Sequence, residues 1–207
     1  MFKNLRIGIR LGVGFGVVLL LMAIVTALSY TRLHLLAKQL DVVVNDKFPK
    51  TVWSNDIIDN VNLIARASRN ALLLKDPNEA NKELERIAEA RKLVAERLAQ
   101  LQKAAASDTE KKLLDETVAL RQVFVADGDK FITMVKDRNI EAARPFLLTV
   151  MRKSQLDYMN SVEKLIDYQT ELMEKAGKDA EKLADDSGVL IVSLALLAFA
   201  IGAALAY

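Results

Sequence analysis

Asn62, Arg66 and Arg69 recur at i, i+4 and i+7 and therefore share one stripe of a helix, together with Ile58, Ala65 and Leu73. The nearest acids on the same segment, Asp59 and Asp76, stand at offsets that give neither arginine an i+3 or i+4 partner. Two cations beside apolar surface and without a local counter-ion are suited to a carboxylate, which a guanidinium clasps through two parallel hydrogen bonds. The plainer alternative is an ordinary surface, with arginine stems lying over apolar patches and no ligand at all. A different stripe, Ile57, Val61, Ile64, Ser68 and Ala71, marks the face that should turn into a core.

Other chemistries have little material to work with. With no Cys, the chain has no disulfide, thiolate zinc site or thiol nucleophile, and its single His leaves no multi-histidine metal site. No cofactor and no metal are expected, and the acids show no paired spacing suited to general acid/base work. Lys and Arg total 29 against 27 Asp and Glu, and no basic stripe is interleaved with aromatics, so nucleic acid is not an expected partner. His34 reads as an interfacial side chain, and Arg91 and Arg121, which interrupt apolar seams, read as members of ion pairs at the rim or within the core.

The elements that must carry the arginine stripe are helical. Residues 11–30 contain no charge, and 20 residues at about 1.5 Å each cross a hydrocarbon core of about 30 Å. Lys3, Arg6 and Arg10 precede this run and favour a cytoplasmic N-terminus. The run is longer than a usual signal-peptide core, and Leu28-Ser29-Tyr30 lacks the small residues of a cleavage site. A second uncharged run covers 187–207. The expected organisation is a cytoplasmic tail at 1–10, a transmembrane helix at 11–30, an extracytoplasmic domain at 31–186 and a second transmembrane helix at 187–207. Gly8, Gly12 and Gly16 make two overlapping G-x-x-x-G units that would permit close helix approach in the membrane.

Within 31–186 the helix breakers are sparse. Asp76-Pro77-Asn78-Glu79 and Ser107-Asp108-Thr109-Glu110 both read as capping boxes, and a third boundary falls at Asp137-Arg138-Asn139. Four antiparallel segments result, at about 31–75, 77–105, 108–137 and 140–186. Apolar residues at alternating three and four steps support them: Leu84, Ile87, Val94, Leu98 and Leu101 in one, Leu114, Val118, Val125, Ile132 and Val135 in the next. The fold is therefore expected to be all-α, an up-down-up-down antiparallel four-helix bundle whose first and last helices are continuous with the transmembrane helices. In such a bundle Arg66 and Arg69 lie about 10–15 Å below the tip. Matching depth on the fourth segment is about 148–158, where Thr149, Arg152 and Tyr158 offer a hydroxyl, a third guanidinium and a phenol. Core filling is the competing role for Tyr158.

The leader MFKNLRIGIRLGVGFGVVLLLMAIV, the helical block and the second apolar run together resemble the sensory half of bacterial methyl-accepting chemotaxis receptors with a four-helix-bundle ligand domain. The segment NLIARASRNALLLKD, from Asn62 to Asp76, is similar to the stretch that family uses for anionic ligands. The resemblance implies a periplasmic sensor domain on the inner membrane, working as a homodimer that places ligand between its first bundle helices. On that basis Ile58, Ala65 and Leu73 are expected at the dimer interface, and Asn62, Arg66, Arg69, Thr149, Arg152 and Tyr158 around the ligand. Only Arg66 and Arg69 match arginines the family uses on that helix, and their spacing differs from the aspartate receptor's. With no acid nearby to hold an α-amino group, a di- or tricarboxylate or an aromatic carboxylate is expected. Signalling would then require a cytoplasmic adaptor and histidine kinase, reached through parts of a receptor other than these 207 residues. The input domain of a sensor histidine kinase and a structural bundle without a ligand are the alternatives; nothing points to an enzyme.

Overall fold

The computed structural model describes residues 7–206, so Lys3 and Arg6 of the basic leader lie outside the described residues, as does the side chain of Arg10. Every element is helical: α1 (Ile7–Val42), a π-helical turn (Val43–Lys47), α2 (Phe48–Leu73), α3 (Pro77–Ala104), α4 (Asp108–Lys136), α5 (Ile140–Phe146), a second π-helical turn (Leu147–Met151) and α6 (Arg152–Ala206). The chain divides into two compact units, one formed by Met1–Val44 with Glu174–Tyr207 and the other by Asn45–Met173.

In the first unit, large apolar side chains stand in the open on both helices, among them Phe15, Leu19 and Leu20 on α1 and Val189, Leu196 and Phe199 on α6. Both helices are long and apolar enough to cross a membrane, and the apolar stretch of α1 buries none of its residues against protein. An uncharged helix with all its sides exposed is what a lipid solvent requires, because every backbone polar group is satisfied within the helix. Gly8, Gly12 and Gly16 face open space.

The second unit is a bundle around one apolar core. From α2 come Ile57, Val61, Ile64 and Ala71 with Ser68 buried among them, and from α3 Leu84, Ile87, Val94, Leu98 and Leu101, the seams that the helical spacing predicts; Ala67 of α2 joins the core as well. On α4 the seam is turned by one position. Leu114 and Val135 are buried as expected, but Phe124, Phe131 and Thr117 fill the centre while Val118 and Ile132 are only partly covered. The physical reason is volume: two phenyl rings occupy the axis, and Gly128 between them leaves room for a long side chain to cross. A Cβ at Gly128 would stand 2.2 Å from Nη2 of Arg91. That guanidinium reaches over to Asp129 and donates to the carbonyl of Val125 at 3.3 Å, a rim ion pair as expected. Arg121 differs from expectation, having no ion pair among the described residues and a buried Nε without a hydrogen-bond partner.

Capping sets the helix ends. Asp76 accepts from the backbone N–H of Asn78 at 2.9 Å with Pro77 in the first turn, so the cap forms there without the reciprocal bond expected of Glu79. At α4 the full capping box is present: Ser107 Oγ accepts from the Glu110 N–H, and the Glu110 carboxylate accepts from the N–H groups of Ser107 and Ala106. The other oxygen of Glu110 is spent on tertiary contacts, accepting from Lys50 Nζ at 2.9 Å and from Gln169 Nε2 at 2.6 Å. One carboxylate thereby starts α4 and ties it to α2 and α6. Lys50 also pairs with Asp46, four residues earlier, at 2.7 Å. Burial alone would raise the Glu110 pKa, but the Lys50 ammonium and the two backbone N–H groups outweigh it and hold the carboxyl at about 2.

Candidate functional site

Where α2 faces the junction of α5 and α6, Arg69 and Arg152 line one groove of about 220 Å³. Ala65 and Leu147 line it too, and Leu148, Gln155 and Leu156 complete the wall on the α5–α6 side. Neither guanidinium forms an ion pair with any acid among the described residues, and the same holds for Arg66. Leu148 and Leu156 are 55% and 47% exposed, so the groove offers apolar surface and two positive charges side by side.

Local sequence explains how Arg152 arrives there. Pro145 has no N–H to give the helix, and the five residues that follow its turn, Leu147–Met151, widen to π geometry. The additional residue per turn rotates everything after it. Ala143, Leu147 and Met151 stay buried, and Ser154 and Tyr158 continue the buried line, while Arg152 is left on the open side.

The expected site residues separate into three groups. Arg69, Arg152 and Ala65 are brought together in the groove. Asn62 is half-buried and Arg66 exposed on the same helix, but neither lines it; Thr149 is exposed and its hydroxyl donates back to the carbonyl of Pro145 at 2.7 Å. Tyr158 is a correction to the expected ligand set: its side chain is 0% exposed, stacked on Phe124 at 6.0 Å between ring centroids, and its hydroxyl has no partner among the described residues. Burial raises its phenol pKa, the Arg121 charge offsetting only part of that, so it stays a neutral core side chain. Of the expected interface residues, Ala65 is only 6% exposed and already covered by its own chain, Ile58 packs partly on the core, and Leu73 is 77% exposed. Gln155 was not anticipated. Its signal in the sequence is its position three residues after Arg152, on the same face of α6.

A family model described as a four helix bundle sensory module for signal transduction matches residues 4–184. The chain belongs to this family of chemoreceptor sensory modules. No curated protein and no solved structure matches it. The family is a sensory module for signal transduction, and the two long apolar helices of this chain fit the membrane helices that flank such a bundle.

Proposed function

We propose that this sensory module recognises a small organic acid, a di- or tricarboxylate or an aromatic carboxylate, through Arg69 and Arg152. The observation that carries the reading is that two guanidinium groups from different helices line one groove and neither is neutralised by the protein's own acids. A cation without an internal partner keeps its full hydrogen-bonding capacity for a ligand carboxylate. Arg66, exposed one helical turn away on α2, supplies further positive potential.

A groove of about 220 Å³ is smaller than the ~300–1,000 Å³ common for ligand pockets. This supports a half-site completed by a second copy of the chain, with Leu148, Leu156 and Leu73 supplying apolar contact between protomers. On this reading the domain lies in the periplasm, anchored in the inner membrane by both apolar helices, with the basic leader Lys3, Arg6 and Arg10 held inside. Ligand capture biases the position of α6, and a cytoplasmic adaptor and histidine kinase read the result. Such a bias requires that the two positions of the helix bind ligand with different affinity.

Calorimetric titration of the full chain in lipid nanodiscs with malate, citrate, benzoate and aspartate tests the assignment. Heat from at least one of the first three, weakened about tenfold or more by Arg69→Ala, is the expected result. Heat from aspartate alone, or from an acid whose affinity ignores both Arg69→Ala and Arg152→Ala, overturns it.

A further inference from the structure

At one end of the bundle unit the turn between α2 and α3 and the turn between α4 and α5 line a common cleft of about 1080 Å³. Its interior is apolar, with Ala80 and Leu84 of α3, Ile132 and Val135 of α4, and Ile140 of α5. Four cations stand around it: Lys75 from the first turn, Lys136 at the end of α4, Arg138 from the second turn and Arg144 of α5. All four are exposed, a single acid, Glu85, shares the lining, and none of these five side chains forms an ion pair or hydrogen bond among the described residues.

Arg138 adds a second, independent observation. Its φ is 56°, and it is the one non-glycine residue with positive φ among those described. The turn closes α4 through Arg138 N–H donating to the carbonyl of Val135 at 3.1 Å and Asn139 N–H donating to that of Met134 at 2.9 Å. Glycine is the residue that occupies this left-handed position without steric cost. Placing arginine there accepts backbone strain at the rim of the cleft, and strain of this kind concentrates where a side chain is needed.

We propose that this cleft is a second ligand site, separate from the groove at Arg69, which takes a carboxylate with an extended apolar body. The body lies on the half-buried Leu72, Leu74, Ile132 and Ile140, above the buried Ala80, Leu84 and Val135, and the carboxylate meets cations from both turns. A small hydrated polyanion such as citrate would reach the same cations but bury no apolar area, so the floor selects against it. The cleft is also of the size that encloses a ligand larger than a simple dicarboxylate. A ligand held there ties the α2–α3 turn to the α4–α5 turn.

The test uses the full chain in lipid nanodiscs carrying Arg69→Ala and Arg152→Ala, so that the other groove is silent, with empty nanodiscs as the calorimetric reference. The probe is 2-naphthoate, with citrate and the neutral 2-naphthylmethanol as comparators. Binding of 2-naphthoate, absent or at least tenfold weaker for both comparators, is expected. Arg138→Gly in the same background should weaken 2-naphthoate about tenfold while raising the melting temperature by a few degrees, because it removes the strain together with the guanidinium. No heat from 2-naphthoate, equal affinity for citrate or for the alcohol, or an affinity untouched by both Arg138→Gly and Arg144→Ala overturns the proposal. None of these outcomes bears on the assignment of Arg69 and Arg152, whose side chains are absent from every protein in the series.

Discussion

Replacing Lys50 with methionine should be among the most damaging single changes in the bundle, although Lys50 touches no proposed ligand. The side chains of Lys50 and Glu110 are 2% and 3% exposed, so the ammonium and the carboxylate face one another with almost no water. Lys50→Met leaves the Glu110 carboxylate buried with only neutral donors, the N–H groups of Ala106 and Ser107 and the amide of Gln169. Breaking a buried pair in this way costs about 3–5 kcal/mol. The acid itself gives a figure of the same order, which Lys50 shares with the N–H groups of Ala106 and Ser107 and with Gln169. A carboxyl held at about 2 in the folded chain against an ordinary 4.5 contributes about 3 kcal/mol of stability. The sign follows from the depression: this contribution is complete above pH ~4.5 and is lost as pH falls from there through about 2. In Lys50→Met the carboxyl instead gains by taking a proton, so the variant's deficit should be largest at pH 7 and shrink below pH ~5. The double variant Lys50→Met/Glu110→Gln keeps an acceptor for the cap with no buried charge, and should recover most of the loss. Trp53, the single tryptophan, lies half-buried three residues after Lys50, and its fluorescence reports urea unfolding of this region in the full chain. A cost below ~1 kcal/mol at pH 7, or a deficit unchanged between pH 7 and pH 3, would refute the reasoning.

Three further outcomes follow from the geometry. Arg69→Ala and Arg152→Ala should each leave the melting temperature within about 2 °C of the parent, since neither guanidinium has an internal ion pair to lose, and a drop of 5 °C or more in thermal unfolding would show a structural role instead. Tyr158→Phe removes a buried hydroxyl with no partner and should be neutral or slightly stabilising, whereas Tyr158→Ala should cost about 3–5 kcal/mol in urea titrations by opening a cavity beside Phe124. Gly128→Ala gains about 0.8–1 kcal/mol of helix propensity but displaces the Arg91 guanidinium from Asp129, a pair worth about 0–1 kcal/mol. Its net effect on unfolding should therefore stay within about 1 kcal/mol, with Asp129→Asn losing most of its own effect in that background.

Much of the architecture was legible because it depends on local rules. Uncharged runs at both ends, caps at Asp76 and Ser107, the break at Asp137-Arg138-Asn139 and the α3 seam from Leu84 to Leu101 all follow from hydrophobic period and terminal hydrogen bonding, which are written in neighbouring residues. The α4 seam was displaced because phenylalanine volume, not the spacing of β-branched residues, decides which face fills the axis. Arg69 stood out because its lack of an i+3 or i+4 acid is visible in the sequence, and Arg152 because antiparallel depth can be counted; both line one groove. Tyr158 was expected beside the ligand and Thr149 in the groove because depth can be counted, but depth does not fix direction. The π-helical turn after Pro145 rotates the chain, sending Tyr158 inward onto Phe124 and leaving the Thr149 hydroxyl bonded to its own helix.

Sequence alone thus determined that the chain is helical, where the three turns at Asp76, Ser107 and Asp137-Arg138-Asn139 fall, which parts are apolar enough for lipid, and which arginines lack a partner on their own helix; the π turns at Val43–Lys47 and Leu147–Met151 were not legible. Tertiary structure alone decided that Arg69 and Arg152 share a groove, that Glu110 joins three helices through one carboxylate, and that two turns far apart in the chain enclose an apolar cleft ringed by cations. The division has a physical cause. Periodicity, capping and charge offsets act over a few residues, whereas side-chain direction after a π turn and the meeting of distant turns depend on how whole helices rotate to fill a shared core.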